Sequence, residues 1–381
     1  MQSVALFWEI KINYWSLMNL QRERQGLNMA YDYTATVELL LDWYDLNARM
    51  LEWRSNPKPY YVWVSEIMLQ QTRVEAVKGY FDRFIKELPS IKALASVDED
   101  RLMKLWEGLG YYNRARSLQK AAILLVEQYD GLLPMSYDEL LKLPGIGSYT
   151  AGAISSIAFG KAQPAVDGNV LRVMKRVAGS FDDISKEKVK KELEADLRAI
   201  MPSKRPGDYN QAIMELGATV CIPNGKPLCD RCPLVHLCQA FKSDLTDRIP
   251  VKPKKKERTI EPKTVFVLEY EGKYAIRKRK DKGLLHGLWE LPNLPEIILC
   301  DKLEEVVLQW NLEFDQIEKM RDAKHIFSHR EWHMVGYFIR LNSSKNLPFD
   351  ELVWANKVDL NEKYSLPTAF ETYKQVWNHT E

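Results

Sequence analysis

Two carboxylates in this sequence have the residue type and surroundings that cleavage of a glycosidic bond requires. Glu66 lies in YVWVSEIMLQQT, which is apolar on nearly all sides, and a lone carboxylate in a buried helix is costly unless it is paired or used. Asp167 precedes the helical run GNVLRVMKRV. One such group can protonate a leaving group while the other faces a cationic sugar. Apolar surroundings predict a raised pKa for Glu66, so that a proton stays available near neutral pH.

Each carboxylate also has a purely structural interpretation. Asp167 stands where it would cap the N-terminus of the following helix, and this role is compatible with chemistry at the same position. For Glu66 the alternative is a buried ion pair with an arginine such as Arg73 or Arg114. The residues by themselves leave these alternatives open.

The stretch LPGIGSYTAGAI, residues 143–154, has the composition of an anion-binding turn between two helices. Gly145 and Gly147 follow the amphipathic segment SYDELLKL. A helix that begins after these glycines presents several N–H groups in one direction, and the missing side chains allow a phosphate to approach closely. Such a unit would hold a sugar-phosphate backbone without reading its sequence. The alternative is a simple glycine turn, because short glycine motifs are weakly specific.

Four of the five cysteines are clustered in the order C-x7-C-x2-C-x5-C. They are Cys221, Cys229, Cys232 and Cys238. Without an export signal, this clustering favours a metal site over a disulfide framework. Zinc ribbons usually contain two CxxC pairs and only one is present, so a Cys-ligated 4Fe-4S cluster fits this single loop better. Zinc and plain structural cysteines remain as weaker alternatives.

Hydrophobic periodicity predicts the elements that position these residues. From about residue 34 to residue 240 the apolar residues recur at helical spacing, and Asp98, Ser136 and Ser185 stand at predicted helix N-termini. The next segment is polar, basic and rich in proline, which is typical of a linker. Beyond it, TVFVLEY, KYAIRKRK, WHMVGYFIRL and ELVWANK predict strands, whereas DKLEEVVLQW and AFETYKQVW keep a helical period.

The chain of 381 residues is therefore expected to form two domains. Residues 1–33 are predicted to be an N-terminal extension, 34–240 an all-α domain, 241–262 a linker and 263–381 a small α+β domain. A composition of 46% apolar and 28% charged residues is typical of a soluble globular protein. No apolar run approaches the roughly 20 residues of a membrane span. The net charge of +2 does not by itself indicate a nucleic-acid partner.

Several motifs, all in order, resemble the adenine DNA glycosylase family, also called MutY. They are VWVSEIMLQQTRVEAV, LWEGLGYYNRARSL, LPGIGSYTAGAI, VDGNVLRV, MELGATVC and the cysteine loop. The resemblance covers about residues 34–240 and implies a helix-hairpin-helix glycosylase domain with an iron–sulfur loop that holds a 4Fe-4S cluster. The family's first cysteine spacing is one residue shorter, and the segment PNGKP could absorb the extra residue in a turn.

The same resemblance implies a function in base-excision repair. The protein is expected to flip adenine out of mispairs with 8-oxoguanine or guanine in double-stranded DNA and to hydrolyse its N-glycosidic bond. It is expected to be a monomer in the cytoplasm, associated with the nucleoid through DNA and not with a membrane.

Residue by residue, the resemblance assigns roles to the carboxylates and their neighbours. Glu66 corresponds to the general acid that protonates adenine at N7, and Asp167 to the carboxylate that stabilises the oxocarbenium ion or traps it covalently. Asn169 would orient that pair. The positions implied to bind DNA are Gly145, Gly147, Gln71, Thr72, Leu109 and Tyr111. Of these, Gln71 and Tyr111 would wedge into the duplex beside the flipped adenine and the opposing base.

Tyr149 distinguishes two branches of the resembled fold. In the endonuclease III branch this position is a lysine that attacks the sugar and cuts the strand through a Schiff base, which a tyrosine cannot form. Tyr149 therefore predicts base removal without strand cleavage, with its hydroxyl positioning the sugar or Asp167. The alternatives are a bifunctional glycosylase-lyase acting on oxidised pyrimidines and a non-catalytic iron–sulfur sensor of DNA damage.

The C-terminal segments KGLLHGLWELPNLP and HIFSHREWHMVGYF resemble the MutT-like (Nudix-type) domain that adenine glycosylases carry. The acidic helix that holds magnesium in active MutT-type hydrolases is absent after KGLLHG, so no nucleotide hydrolysis is expected. Phe327, Ser328 and His329 match the loop that recognises 8-oxoguanine opposite the adenine. His325, His329 and His333 are four residues apart, but the alternation around them predicts a strand and a turn rather than a helical metal site.

Overall fold

In the computed structural model, residues 31–253, 257–280, 283–345 and 347–378 are described. The chain divides into two compact units, each built from segments that are distant in sequence. The first unit combines residues 31–49 with Gly160–Lys252, and the second combines Met50–Phe159 with the described part of Pro253–Glu381.

Helices occupy most of the described residues before position 253. In chain order the helices are α1 (Thr36–Asn47), α2 (Glu52–Ser55), α3 (Pro59–Leu69), α4 (Val74–Glu87), α5 (Ile91–Ser96), α6 (Glu99–Leu105), α7 (Asn113–Gln128), α8 (Tyr137–Leu141), α9 (Ser148–Ala153), α10 (Gly168–Ala178), α11 (Glu187–Ile200), α12 (Pro206–Thr219), α13 (Gln239–Lys242), α14 (Cys300–Gln309), α15 (Lys357–Glu362) and α16 (Glu371–Asn378). A π-helical turn, Ile154–Ala158, extends α9, and 3-10 turns occur at Cys229–Arg231 and Thr368–Phe370. This confirms the helical prediction for the N-terminal half.

Strands occur in the C-terminal part of the chain, as predicted. They are β1 (Thr259–Tyr270), β2 (Lys273–Lys278), β3 (Trp289–Glu290), β4 (Asn293–Leu294), β5 (Phe314–Lys319), β6 (Ala323–Ile326), β7 (Arg330–Leu341) and β8 (Val353–Ala355). The main path of the sheet is β3-β2-β1-β7-β5, with β1 and β7 parallel, while β4, β6 and β8 pair with β1, β7 and β2.

Both faces of this sheet are covered, which explains the nearly continuous apolar run in β1. Val265 and Val267 face one core together with Trp377 of α16, whereas Phe266 packs on the other face with Val307 of α14. The two helical segments predicted in this domain therefore lie on opposite faces of the sheet, and each contributes to a separate core.

Helix starts were predicted with mixed success. Asp98 caps α6 by accepting a hydrogen bond from the N–H of Arg101 at 2.8 Å, and Ser136 occupies the N-cap position of α8. The prediction for Ser185 is wrong, because α11 begins at Glu187 and the Ser185 hydroxyl donates to Asp183 instead. A serine before an acidic turn can satisfy the backbone locally in more than one way.

The segment predicted to be a linker is partly built into the fold. Ile249 is buried, and its carbonyl accepts a hydrogen bond from Nε of Arg176 at 2.7 Å in the first unit. Strand β1 begins at Thr259, within the predicted linker. The average composition of the segment concealed this apolar anchor among charged neighbours. The predicted domain boundaries stay predictions.

The predicted N-terminal extension falls largely outside the described residues. Its last residue, Tyr33, is 3% exposed and donates a hydrogen bond to the carbonyl of Met174 at 3.4 Å. Its end is thus part of the first unit's core. Among the described residues, no helix has both the length and the apolar character that crossing a membrane requires.

Candidate active site and DNA-binding loops

Glu66 is buried near the C-terminal end of α3 and has a defined partner. The carboxylate is in a residue only 6% exposed, and the hydroxyl of Tyr149 donates a hydrogen bond to its Oε2. Tyr149 is the second residue of α9, which packs against α3, and Gln70 also contacts Thr150 across this junction at 3.4 Å. The acid and the tyrosine are therefore held together by two packed helices.

The hydrogen bond between Tyr149 and Glu66 was not among the contacts expected from the sequence. An ion pair with Arg114 had been an alternative, but that guanidinium donates to backbone carbonyls, including those of Ile67 and Met68 at 2.9 Å. Tyr149 was expected to position the sugar or Asp167, and the contact seen here is with Glu66. Only the folded structure reveals this pair, because its two residues are 83 positions apart in the chain.

The glycine turn has the predicted helix-turn-helix arrangement between α8 and α9. Gly145 has a φ of +79°, and an added Cβ would lie 2.7 Å from Cβ of Ser117, so both its conformation and its packing require glycine. Gly147 is the N-cap of α9 with a φ of −96°, and an added Cβ would meet no described atom within 4 Å. The fold itself does not require glycine at position 147. The missing side chain leaves open space for a ligand beside the N-terminus of α9.

Asp167 has the capping role that its sequence position suggested. It is the N-cap of α10, and its Oδ1 accepts hydrogen bonds from the N–H groups of Asn169 and Val170, both at 2.8 Å. The side-chain amide of Asn169 donates to Oδ2 at 2.7 Å and so restricts the orientation of the Asp167 carboxylate. Burial raises the pKa of Asp167, and these hydrogen bonds counteract part of that rise because they favour the carboxylate.

Arg172 extends this group and was missed at the sequence level. It is 4% exposed and donates from Nη2 to Oδ1 of Asn169 at 2.9 Å and to the carbonyl of Gly217 at 2.7 Å. Its Nε donates to the carbonyl of Cys221 at 2.8 Å. Burial lowers the pKa of Arg172. A basic residue inside the apolar run VLRVMKRV was the available signal, since such charges are seldom buried without partners.

The predicted catalytic residues form two groups in the described structure. Glu66 and Tyr149 lie together in the second unit, and Asp167 and Asn169 lie together in the first. Within each group the hydrogen-bond geometry is defined.

The two predicted wedge residues share an unusual backbone conformation. Gln71 has a φ of +59° and Tyr111 a φ of +46°, both in the left-handed region that non-glycine residues rarely adopt. Tyr111 is 48% exposed, whereas Leu109 is buried. The hydroxyl of Thr72 accepts a hydrogen bond from Arg114 at 3.3 Å. We name residues 70–72 and 109–111 the wedge loops.

The predicted 8-oxoguanine loop is the tip of the β6–β7 hairpin. Phe327 packs edge-on against Trp332, with ring centroids 4.9 Å apart, while Ser328 and His329 are exposed. Oγ of Ser328 lies 2.7 Å from the hydroxyl of Tyr111, so this tip meets a wedge loop within the second unit. A cleft lined by residues 109–114, 283–286 and 325–330 surrounds this contact.

The histidines near this tip confirm the predicted strand and turn. His325 is in β6, His329 in the turn and His333 in β7. Burial lowers the pKa of His325. Among the described residues, no group of three or more His, Cys, Asp or Glu side chains is arranged around a single metal ion.

The four clustered cysteines surround one small pocket of the first unit. Cys221, Cys229, Cys232 and Cys238 all line it, among apolar side chains such as Leu216 and Leu234. Nη1 of Arg176 lies 3.2 Å from Sγ of Cys221 and brings positive charge to this thiol. Burial is the main reason that the pKa values of the Cys229, Cys232 and Cys238 thiols are raised.

Known protein families match both parts of this architecture. Residues 64–198 match the HhH-GPD superfamily base excision DNA repair protein, and residues 264–375 match the NUDIX domain. The fold and the site thus define a helix-hairpin-helix base-excision DNA glycosylase with a C-terminal NUDIX domain. The chain is 35% identical over 312 residues to the adenine DNA glycosylase of Buchnera aphidicola subsp. Schizaphis graminum, covering 81% of this chain and 88% of that protein. The chain belongs to the adenine DNA glycosylase family.

Adenine DNA glycosylases of other organisms and one solved glycosylase structure are also similar to this chain. The adenine DNA glycosylase of Mus musculus is 36% identical over 356 residues, covering 78% of this chain and 69% of the mouse protein. The Schizosaccharomyces pombe enzyme is 32% identical over 410 residues, covering 88% of each chain. A thermostable thymine-DNA glycosylase structure aligns with a TM-score of 0.50 and 28% identity, over 55% of this chain and 95% of the other.

Proposed function

We propose that this protein removes adenine from mispairs with 8-oxoguanine or guanine in double-stranded DNA by hydrolysis, without cutting the strand. The observation that carries this proposal is the hydrogen bond from Tyr149 to the buried carboxyl of Glu66, directly after the glycine turn. A hydroxyl at this position can orient an acid but cannot form an imine with a sugar.

The reaction requires that adenine first leaves the base stack, because neither carboxyl group can reach a stacked nucleotide. Glu66 would then protonate N7 of the flipped adenine and so improve the base as a leaving group. The bond between the sugar and the base breaks, and its electron pair leaves with the protonated adenine. Asp167, ionised and oriented by Asn169, would stabilise the cationic sugar until water adds.

Tyr149 would keep the acid in its reactive orientation. Its O–H donates to Oε2 of Glu66 and so fixes the direction in which the carboxyl group faces. Burial of Glu66 by α3 and α9 excludes bulk water from this acid.

The backbone geometry supports a DNA-binding role for the turn and the wedge loops. The open space at Gly147 would admit a phosphate to the N-terminus of α9. Gln71 and Tyr111 would insert into the duplex, in the space that the flipped adenine vacates and beside the opposing base. The exposed side chains of Ser328 and His329, beside Tyr111, would read that opposing base as 8-oxoguanine.

The four cysteines would hold a 4Fe-4S cluster. All four line one small pocket among apolar side chains, which supports their acting together as ligands. In a four-iron cluster each of the four cysteines would bind a different iron. When bound, the cluster would supply a covalent cross-link that holds residues 221–238 in one conformation.

We also propose that the enzyme acts as a monomer on chromosomal DNA in the cytoplasm. The DNA substrate itself would associate the protein with the nucleoid.

The experiment that tests the proposed function is a single-turnover incubation with a duplex containing one adenine:8-oxoguanine pair. Strand breakage that appears only after alkali would establish adenine removal without lyase activity. Glu66→Gln should abolish this breakage while DNA binding remains, and Glu139→Gln provides the control because that carboxylate pairs with Lys142 at the surface. Cutting of an oxidised-thymine strand without alkali, or unchanged excision by Glu66→Gln, would contradict the proposal.

A further inference from the structure

Arg114 occupies a position between the two wedge loops that no assigned role explains. It is the second residue of α7, and its guanidinium is largely buried between the end of α3 and the turn that precedes α7. Its two terminal nitrogens donate to a set of acceptors that belong to two separate chain segments. The acceptors are the carbonyls of Ile67 (2.9 Å), Met68 (2.9 Å), Gln70 (2.5 Å), Leu109 (3.1 Å) and Gly110 (3.1 Å), and the Thr72 hydroxyl (3.3 Å).

Nη1 and Nη2 of Arg114 donate to different groups of acceptors. Nη1 donates to carbonyls at the C-terminal end of α3, where a helix leaves its last carbonyls without partners and carries partial negative charge. Nη2 donates both to Thr72 and to the carbonyls of Leu109 and Gly110. A simple helix cap would need only the first set, so the second set makes Arg114 a bridge between the two loops.

Both bridged loops have strained backbones. The left-handed conformations at Gln71 and Tyr111 are unfavourable for residues with a side chain and persist only where the surroundings stabilise them. Gly108, just before the second loop, has a φ of +98°, and an added Cβ would lie within 2.0 Å of the Tyr80 hydroxyl. The bonds from Arg114 reach the residues on both sides of Gln71 and the residue before Tyr111.

The aromatic surroundings favour arginine over lysine at this position. The guanidinium carbon is 5.4 Å from the ring centroid of Trp106 and 5.5 Å from that of Tyr111. The indole N–H of Trp106 also donates to the carbonyl of Gly110 at 3.1 Å. Burial lowers the pKa of Arg114 to about 10, so the group stays charged at neutral pH. A lysine ammonium is a point charge and cannot reproduce a planar fork of donors that reaches both segments.

We propose that Arg114 is a positioning residue that locks the two wedge loops in one register, so that Gln71 and Tyr111 enter the duplex together. This inference rests on the proposed DNA-binding role of the wedge loops. In this role Arg114 helps the wedge loops to open the duplex and takes no part in breaking the glycosidic bond.

The test compares Arg114→Lys with Arg101→Lys. Arg101 is the control, because its guanidinium donates to the exposed side chain of Glu87 instead of to backbone carbonyls. Each protein is added at saturation to a duplex with 2-aminopurine next to a 2′-fluorinated deoxyadenosine opposite 8-oxoguanine. The fluorine prevents hydrolysis, so the fluorescence rise reports unstacking alone.

We expect the fluorescence rise with Arg114→Lys to be at least about threefold smaller than with the unaltered protein, and that with Arg101→Lys to be unchanged. Amide hydrogen exchange should increase at residues 67–72 and 108–112 and stay the same elsewhere. A full fluorescence rise with Arg114→Lys would overturn the inference.

A second variant covers the case in which Arg114→Lys unfolds. Trp106→Phe removes the indole hydrogen bond to Gly110 and keeps an aromatic ring in the core, so it should reduce the fluorescence rise in the same direction. An unchanged rise with a folded Trp106→Phe would also count against the bridge. Because unstacking is measured without hydrolysis, a protein that opens the duplex but releases no adenine would contradict the proposed function and leave this inference standing.

Discussion

At the scale of single residues, the site depends on hydrogen bonds that join a carboxyl group to one particular partner. Tyr149 donates to Glu66, and Asn169 donates to Asp167. The sequence suggested the second contact, whereas the first was not anticipated from it. Asn169 is two positions from Asp167 in the same helix start, so local geometry determines their contact. The contact between Tyr149 and Glu66 depends on how α9 packs against α3, which no local pattern encodes.

We predict that Tyr149→Phe slows adenine excision by about 10- to 100-fold because Glu66 loses the donor that orients it. No lyase activity should appear, since phenylalanine also lacks an amine. Single-turnover excision rates check this expectation. Tyr129→Phe is the matched control, because Tyr129 donates to Glu139 at 2.6 Å, a pair to which no catalytic role is assigned. Equal rates for both variants would show that the hydroxyl of Tyr149 has no catalytic importance.

A second residue-scale prediction concerns pH. Burial raises the pKa of Asp167, and the amide of Asn169 opposes this rise, so Asn169→Ala should raise the pKa further. The carboxylate would then be protonated at a higher pH, and the excision rate should begin to fall earlier as the pH decreases from about 8 to about 4. The acid limb of the rate profile should therefore move to higher pH in the variant.

Asn47→Ala serves as the control for this profile, because the Asn47 amide donates to the carbonyl of Trp43 on the surface of the same unit. Its profile should match that of the unaltered protein. Coincident acid limbs for Asn169→Ala and the unaltered protein would mean that Asn169 does not stabilise the ionised form of Asp167.

At the scale of elements, the helix-hairpin-helix unit contains two glycines with different structural requirements. Gly145 has a left-handed backbone and contacts Ser117, whereas Gly147 has an ordinary extended backbone and faces open space. The sequence predicted the hairpin because two short helical segments flank a GxG turn. It could not distinguish the two glycines, since φ and the nearest atoms are properties of the folded chain.

We predict opposite patterns for the two alanine substitutions in this hairpin. Gly145→Ala should lower the free energy of unfolding by about 1–3 kcal/mol, because it adds a strained φ and a clash with Ser117. Gly147→Ala should change stability by no more than about 0.5 kcal/mol but weaken DNA binding, because the methyl group occupies the proposed phosphate site. Urea unfolding and fluorescence anisotropy with labelled duplex measure the two effects. Normal DNA affinity in Gly147→Ala would exclude a phosphate at this position.

At the scale of the whole molecule, segments of the second unit that are distant in sequence are joined by a partly buried charge network. Nζ of Lys104 donates to Glu107 at 2.5 Å and to the carbonyl of Tyr364 at 3.1 Å, and Nζ of Lys374 donates to Glu107 at 2.7 Å. The side chains of Lys104, Glu107 and Lys374 are 14–17% exposed. Glu107 therefore links the segment after α6 to α16, which lies 267 positions later in the chain.

We predict that Glu107→Gln lowers the free energy of unfolding by about 1–2 kcal/mol, because two poorly hydrated ammonium groups lose their common anion. Glu87→Gln should change it by less than about 1 kcal/mol, since the Glu87 and Arg101 side chains are 39% and 41% exposed. Chemical denaturation curves of the two variants provide the comparison. Similar losses in both would show that the Glu107 network contributes no more than an ordinary surface pair.

The sequence by itself determined the classes of element and the chemistry available to this protein. Helical and strand periods, the GxG turn, the capping position of Asp167 and the four clustered cysteines all depend on near neighbours in the chain. Local spacing carries such information because backbone propensity and side-chain periodicity act over a few residues.

Only the tertiary structure decided which of these residues meet. The partner of Glu66, the bridging position of Arg114, the contact of Tyr111 with Ser328 and the burial of Ile249 all arise from segments that are distant in sequence. Such contacts depend on how complementary surfaces pack and on which acceptors lie near buried polar groups. They contribute to the free energy of folding only when distant segments have come together.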